Sequence, residues 1–291
     1  MQLQWPAVHS EVYRSPRGEM YLKKPGVVLI AQTAFNAEQV QGFLDGFEDS
    51  LGFKQYLADP GELAASEHLT KLAGQLCYLS FGSLRSWNKD AAGYFRNIKT
   101  SGHGSVLEHA SFSFLCYGID RSVTHELVRH RAGFGFSQVS QRYVDGRVLR
   151  FVERAEYQND TDLHLDFIDW IEQSAARYNS RAERLLLLQH GEAAGIMSAE
   201  TKRDARKKVN QAARSCLPNE TEAPIIVTAN VRGWRHFCEM RASGHADVAI
   251  RSLGMRIFEC LRQVAPLLFD DYAVVRLLDG TDEVTTSSRK V

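Results

Sequence analysis

Short runs of apolar and β-branched residues along the chain have the two-residue period of strands. Residues 27–32 (VVLIAQ) form a compact β-branched run, which predicts a buried strand. Ser111–Tyr117 (SFSFLCY) alternates small polar with aromatic side chains before it becomes apolar, and this also indicates a strand. Further strands are expected at residues 148–152, 224–230 and 272–277.

Between these runs, apolar residues recur at helical spacing. Helices are predicted at residues 36–49, 61–80, 90–101, 121–131, 161–189, 198–217 and 246–268, and a further helix follows the strand at 224–230. Asp120 is placed to cap the helix at 121–131, and Gly133 is placed to end it.

Two segments show neither pattern. Residues 1–25 mix prolines with charges, which predicts an irregular extension, and the glycine-rich residues 133–141 predict a shaped loop. No repeat, low-complexity tract or clear linker interrupts the remainder. A single α/β catalytic domain is therefore expected over residues 26–291.

Composition and charge argue against several classes of protein. The 291 residues include 35 Lys and Arg against 35 Asp and Glu, so no overall charge draws the protein to nucleic acid or membrane, and any anion site must be local. We find no signal-peptide pattern and no run approaching the roughly 20 apolar residues of a spanning helix. The five scattered cysteines include no CxxC pair and indicate neither a disulfide framework nor a zinc ribbon. A cytoplasmic protein without a metal site is expected.

The densest chemistry lies in residues 121–143, RSVTHELVRHRAGFGFSQVSQRY. Residues four apart share a face of a helix, which would place three basic side chains on one side: Arg121, His125 and Arg129. The following loop offers backbone amides and four polar side chains that suit a phosphate: Ser137, Gln138, Ser140 and Arg142. The pattern alone leaves two interpretations open, a phosphate site and a solvated, charged helix with a few ion pairs.

Three familiar motifs do not apply to this segment. His125 and His130 resemble the two histidines of a zinc-binding HExxH helix, but residues five apart point about 140° away from each other. Gly133 and Gly135 form GxG without a preceding strand or a third glycine, so no dinucleotide fingerprint is present. No Walker sequence occurs either.

The same segment resembles the signature of the flavin-dependent thymidylate synthase family, in which Arg-His-Arg is followed by a spacer, a serine and Arg-Tyr. The likeness extends, in the family's order, to residues 103–111 (HGSVLEHAS), 213–220 (ARSCLPNE) and 230–247 (NVRGWRHFCEMRASGHAD). The family implies an α/β fold of the α+β type, with a mainly antiparallel central sheet flanked by helices. It also implies FAD as cofactor and a homotetramer with shared active sites.

The resemblance assigns roles to individual residues. It implies that the nucleotide is held by Arg121, Glu126, Gln138, Ser140, Arg142 and Arg214. It implies that the flavin is held by His103, Ser105, Arg129, His130, Arg131, Asn230, Arg232 and His236. Arg241 is implied to bind the uracil ring and to stabilise negative charge there, and with Ser140 and Arg142 it forms the expected catalytic set. We expect Glu108 and His109 to be structural.

The implied reaction is the methylation of dUMP to dTMP, in which NADPH reduces the FAD and methylenetetrahydrofolate supplies the one-carbon unit. This scheme requires no nucleophile from the protein. We therefore expect Cys216 to be a buried structural thiol and Ser140 to be a phosphate or ribose contact.

The spacer between Arg131 and Ser140 departs from the family pattern, because it has eight residues where seven are usual. We place the extra residue near residues 133–135. A changed sugar pocket would suit a UMP C5-methylase of a nucleoside-antibiotic pathway, which is the alternative function. A third hypothesis is a nucleic-acid-binding module, which the balanced charge disfavours, built on Arg121, Arg129, Arg131 and Arg142.

Overall fold

The computed structural model describes residues 5–189, 195–289 and 291. Its strands are β1 (Ala7–Val8), β2 (Val12–Arg14), β3 (Met20–Leu22), β4 (Gly26–Gln32), β5 (Ser111–Tyr117), β6 (Phe134–Gln138), β7 (Phe151–Val152), β8 (Ile225–Asn230), β9 (Tyr272–Arg276) and β10 (Asp282–Thr286). Its helices are α1 (Ala37–Leu44), α2 (Ala65–Leu76), α3 (Ala91–Thr100), α4 (Arg121–Leu127), α5 (Thr161–Gln189), α6 (Lys202–Ala213), α7 (Val231–Arg241), α8 (Val248–Val264) and α9 (Pro266–Phe269). Among these described helices, none is both long and apolar enough to cross a membrane.

The central sheet has five antiparallel strands in the order β1-β4-β5-β8-β6. Side chains alternate across it, so Phe114 and Val227 point into the core while Ser113 and Thr228 lie on the open face and bond each other at 2.7 Å. Helices α7 and α8 cover the buried face, where the ring of Trp234 meets Phe114 edge-on with centroids 5.2 Å apart. The sheet therefore carries the main core and fixes the position of α7.

Two smaller sheets and a helix pair complete the fold. Strands β2, β3 and β7 form a three-stranded sheet in which β3 and β7 are parallel, and β9 pairs with β10 in a hairpin. Helix α5 packs on α6 through Tyr178, Ala182 and Val209.

The α/β fold with a mainly antiparallel sheet is confirmed, as are the strands at residues 27–32, Ser111–Tyr117 and 224–230 and the long helix Thr161–Gln189. The other predicted helices are present within shorter bounds, and the one at 246–268 is divided into α8 and α9. Of the expected strand at 148–152, only Phe151–Val152 pairs as a strand. The division into an N-terminal extension and one catalytic domain stays a prediction.

The expectation of an irregular segment at residues 1–25 is wrong for its described part, because β1, β2 and β3 lie there. These strands are two or three residues long, too short for a period of two to emerge against the surrounding prolines and charges. They are stabilised instead by pairing, β1 with β4, β2 with β3, and β3 with β7, which lies far along the chain.

The expectation of a loop at residues 133–141 is also wrong, because Phe134–Gln138 forms the edge strand β6. Its glycine and serine have little strand propensity, but the backbone pairs with β8 over five residues in unbroken register. Phe134 and Phe136 lie on one face with their rings stacked 5.7 Å apart. Tertiary pairing therefore outweighs local preference.

The helix predicted at 121–131 begins as expected, since the Asp120 carboxylate accepts a hydrogen bond from the Val123 N–H at 2.8 Å. It ends four residues early, at Leu127, and the N–H groups of Arg129 and His130 bond only three residues back. Arg129 therefore lies outside the helix, although its guanidinium still contacts the His125 ring at 2.8 Å. The expected helical face of three basic side chains does not form.

Candidate active site

A cleft lies where β8 runs directly into α7. Asn230 ends the strand and caps the helix, since its side-chain oxygen accepts a hydrogen bond from the Gly233 N–H at 2.8 Å. Arg232 and His236 follow one helical turn apart, on the same side of α7. The cleft has a volume of about 410 Å³ and is lined by Glu108, Ala132, Gly133, Asn230, Arg232, Gly233 and His236. Pockets of this size commonly hold small molecules.

Two glycines allow close approach of the backbone to the side chains of this cleft. Gly133 has a φ of +75°, and a Cβ added there would lie 2.8 Å from the side-chain oxygen of Asn230. A Cβ on Gly104 would lie 2.8 Å from Nε of Arg232. Residues 103–108 therefore lie against the start of α7.

Glu108, expected to be structural, lines the cleft and pairs with Arg232 at 2.6 Å. His103 and Ser105 belong to the same segment and are exposed. Of the eight predicted flavin residues, the structure brings Asn230, Arg232 and His236 together in the cleft wall, with His103 and Ser105 on the adjoining segment.

Beside the cleft, Arg241 at the end of α7 is held by two side chains. Its Nη1 donates to Oε2 of Glu126 at 2.6 Å, and its Nε donates to Nε2 of His130 at 3.1 Å. His130 is 8% exposed and packs against the rings of His236 and Phe237, with centroids 5.6 and 5.3 Å away. The structure therefore brings Glu126 and Arg241, both predicted to bind the nucleotide, next to the predicted flavin residues.

The charge of His130 follows from this environment. Burial first, and then its interactions with Arg241 and His236, lower the pKa of His130 to about 4. His130 is therefore neutral near pH 7, and its Nε2 is the acceptor for Arg241. Arg129 and Arg131 flank His130 in sequence but are exposed, and neither lines the cleft.

The other predicted nucleotide residues lie at the opposite end of β8. The Val139 N–H donates to the carbonyl oxygen of Pro224 at 2.9 Å, which fixes the segment after β6 beside the start of β8. Helix α4 begins at this end too, since the Arg121 N–H donates to the Asn219 carbonyl oxygen at 3.0 Å. Five predicted nucleotide residues therefore lie at this end of β8, away from the cleft: Arg121, Gln138, Ser140, Arg142 and Arg214. Six residues of strand, roughly 17 Å, lie between the two ends of β8.

Two side chains at this opposite end were missed by the sequence reasoning. Gln141 is buried, and its amide nitrogen has no hydrogen-bond partner among the described residues. Buried polar groups are nearly always satisfied, so this nitrogen is a donor that remains available to water or to a bound molecule. The position of Gln141 between Ser140 and Arg142 is the signal that could have identified it. Tyr143 is the second; it is 54% exposed, and its ring lies beside the Arg142 guanidinium.

Cys216 is half-buried, so the expectation that its thiol is buried is wrong. Its Sγ donates to the carbonyl oxygen of Ala213 at 3.1 Å, because the thiol lies in the short 3₁₀ turn that ends α6 rather than in the core. Burial raises the pKa of the Cys116 and Cys238 thiols to about 12, so both are protonated near pH 7.

Comparison with known proteins places this arrangement in a family. Residues 62–267 match a family model described as thymidylate synthase complementing protein. Flavin-dependent thymidylate synthases from Mycobacterium tuberculosis and Mycobacterium avium are 45% and 43% identical over 222 and 219 residues, which is 75% of this chain and 84% of each relative. The chain belongs to the flavin-dependent thymidylate synthase family. The relative of that name from Mycolicibacterium vanbaalenii is 44% identical over 222 residues.

The residues matched by the family model include those at both ends of β8. Every predicted site residue, from His103 to Arg241, lies inside residues 62–267. Family membership therefore covers the cleft and the separated cationic residues alike. The assignment of single residues to flavin or nucleotide stays a prediction.

Proposed function

We propose that this protein is an FAD-dependent thymidylate synthase that methylates C5 of dUMP, with methylenetetrahydrofolate as carbon donor and NADPH as reductant. Family membership supports this reaction class. The observation that carries the proposal is the Arg241 side chain, held by Glu126 and by a neutral His130 beside the cleft. Bound FAD would supply the hydride chemistry, while the protein supplies placement and charge.

The residues around the cleft fit a flavin. Arg232 and His236 offer N–H donors one helical turn apart, and an isoalloxazine ring carries carbonyl oxygens and ring nitrogens that such donors satisfy. Gly133 keeps the wall of the cleft free of a side chain. The exposed guanidinium groups of Arg129 and Arg131 are available for the diphosphate.

Arg241 is the residue we assign to the pyrimidine. Because Glu126 and His130 fix its guanidinium, Arg241 needs little reorganisation to stabilise negative charge on a bound ring. His130 adds no second positive charge, since it is neutral. Arg241 would therefore lower the energy of the ring as its C5 becomes nucleophilic.

The opposite end of β8 supplies cations for the nucleotide phosphate. Arg121, Arg142 and Arg214 lie there, with the unpartnered Gln141 amide between two of the predicted contacts. The start of β8, where these cations lie, is roughly 17 Å from the end of the strand that forms the cleft. We propose that the phosphate-binding residues of one chain complete the cleft of another, as in a homotetramer with shared active sites.

The eight-residue spacer motivates the alternative, methylation of UMP. The register between β6 and β8 is unbroken from Phe134 to Gln138, so the extra residue is not a bulge within the strand. We place it instead in the left-handed turn at Gly133, next to Asn230. This turn is far from Ser140, which favours an unaltered sugar contact and hence dUMP.

Product analysis tests the proposal. Flavin-loaded protein is incubated with NADPH, methylenetetrahydrofolate and equal amounts of dUMP and UMP, and the nucleotides are identified by mass spectrometry. We expect dTMP without methylated UMP, and loss of product in Arg241→Gln. A colourless protein that takes up no flavin and leaves both nucleotides unchanged would contradict the proposal, and preferential consumption of UMP would establish the alternative.

A further inference from the structure

Helix α6 carries a dense cluster of positive charge next to the predicted nucleotide residues. Five of the seven residues 202–208 are Lys or Arg, although the whole chain has 35 basic and 35 acidic residues. A groove of about 440 Å³ lies on this side of the helix, and we call it the α6 groove. It is lined by Tyr143, Lys202, Arg203, Arg206 and Lys207.

The cations of the α6 groove gather around one exposed aromatic ring. Nζ of Lys207 lies 5.4 Å from the centroid of the Tyr143 ring, and the guanidinium carbon of Arg203 lies 6.0 Å from it. The Arg142 guanidinium lies 5.8 Å from the same centroid. Three like charges around one ring repel each other and favour an anion between them.

No carboxylate of the described residues neutralises these cations. Asp145 is engaged by Arg147 at 2.5 Å, and Asp204 accepts a hydrogen bond from the Thr201 hydroxyl at 2.8 Å. Within the part of the chain that the structure describes, Lys202, Arg203, Arg206 and Lys207 form no ion pair. Lys202 is also the first residue of α6, where the helix dipole adds partial positive charge.

The α6 groove continues into a second hollow and towards the predicted nucleotide residues. This hollow, of about 580 Å³, shares Tyr143 and Arg206 with the groove, and the rest of its wall is formed by Asp145, Arg147, Ala182, Leu186, Val209 and Asn210. Arg206 lies eight residues before Arg214 on the same helical segment, roughly 12 Å away. A ligand in the α6 groove can therefore reach the residues assigned to the nucleotide.

We propose that the α6 groove is a subsite for the oligoanionic part of a co-substrate, a run of two or more phosphate or carboxylate groups. This proposal rests on the proposed function, whose co-substrates offer two such sources, the phosphates of NADPH and an oligoglutamate tail on the folate. Exposed lysines and arginines spread along one helix suit several separate negative charges better than a single buried anion. A nucleic-acid strand fits less well, because one helix and one aromatic ring make no extended basic stripe.

Direct binding tests the subsite. Inorganic tripolyphosphate and a tetraglutamate peptide are titrated calorimetrically into full-length, flavin-loaded protein at low ionic strength. The Arg203→Gln/Lys207→Gln variant removes two charges beside Tyr143, and Lys89→Gln/Arg96→Gln removes two exposed charges near α3 as a matched control. We expect wild type and control to bind at least one of these anions, and the groove variant to bind it roughly tenfold or more weakly. Absence of binding to wild type, or equal loss in both variants, would overturn the proposal.

Kinetics of the same proteins distinguish the two sources. If phosphates occupy the groove, the groove variant raises KM for NADPH roughly tenfold and leaves the advantage of a pentaglutamyl over a monoglutamyl folate unchanged. If carboxylates occupy it, the variant removes the advantage of a pentaglutamyl over a monoglutamyl folate. Anion binding without either change would mean an adventitious ion only, and the proposal fails.

Binding of a single-stranded oligonucleotide to the same proteins is the last measurement. Tighter binding of the oligonucleotide than of either small anion, lost in the groove variant, would identify a nucleic-acid surface and overturn the subsite. Thymidylate formation is measured on the same samples. If wild type forms no product, the proposed function is wrong. If wild type forms product but binds no anion, only the subsite is wrong.

Discussion

At the scale of single residues, the contact between His130 and Arg241 depends on which side chain carries the charge. An arginine stays protonated at any pH at which proteins fold. His130 stays neutral because burial, Arg241 and His236 lower its pKa to about 4. One positive charge therefore faces the candidate site from this pair, on the side chain that Glu126 also holds.

The pH dependence of stability tests the state of His130. The pKa of His130 is about 4 in the folded protein and about 6.5 in the unfolded chain, so the unfolded chain takes up its proton first as the pH falls. The contribution of neutral His130 to the free energy of unfolding is complete above pH 6.5 and is lost as the pH falls towards 4. Between pH 7 and 5, wild type should lose about 2 kcal/mol more of its free energy of unfolding than His130→Gln does. Urea titrations measure this difference, and equal losses in the two proteins would show that His130 does not titrate in this way.

Gly133 and Gly135 form a matched pair two residues apart. Alanine at Gly133 is strained by the φ of +75° and by the 2.8 Å approach to Asn230, which caps α7. We expect Gly133→Ala to lower the free energy of unfolding by about 1–3 kcal/mol and to weaken flavin uptake. A Cβ at Gly135 has nothing within 4 Å, so Gly135→Ala should change little. Similar unfolding curves for the two variants would contradict this account of the turn.

At the scale of elements, the sequence predicts best where one element buries a continuous face. Helix α5 and strand β5 have the expected bounds because amphipathic spacing runs through their whole length. Strand β6 and the early end of α4 escaped prediction, because pairing with β8 and the packing of His130 are decided by residues far away in sequence. Strand β10 is mostly polar and forms because β9 lies beside it.

Arg235 ties α7 to the C-terminal hairpin and is fully buried. It bonds both carboxylate oxygens of Asp271 at 2.7 and 2.8 Å and the carbonyl oxygen of Leu268 at 2.7 Å. Burial alone raises the pKa of Asp271, but its bonds with Arg235 outweigh burial and lower that pKa to about 2. Arg235→Met leaves these acceptors unpaired, so it should cost about 3–5 kcal/mol in urea unfolding.

The control for Arg235 is Arg276→Gln, which breaks the exposed pair with Asp282. Solvent screens that pair, so its loss should change stability little. If the two variants unfold at the same urea concentration, α7 does not depend on the buried pair.

At the scale of the whole molecule, the predicted site residues are divided between the two ends of β8. Motif spacing identified the residues. It could not show that Arg241 lies beside His130, whereas Arg142 lies at the other end of β8, near Pro224. That division depends on the direction of β6 along β8, which only the folded sheet reveals.

Mixed oligomers test whether neighbouring chains complete each other's sites. Arg142→Gln and Arg241→Gln should each be inactive alone. Co-expressed in one cell, they should recover about one quarter of the wild-type activity per site, because random mixing leaves that share of shared sites with both arginines intact. Activity no greater than that of the single variants would mean that one chain supplies both residues.

The central claim is that the start of α7 holds the flavin. Its most direct test is a titration of flavin-free protein with FAD, followed by the change in flavin fluorescence. We expect Arg232→Gln/His236→Gln to bind FAD roughly 100-fold more weakly than wild type, since two direct hydrogen bonds are lost, while His9→Gln/Arg276→Gln, altered outside the cleft, binds as wild type does. Equal affinity for FAD in the two double variants would contradict the account.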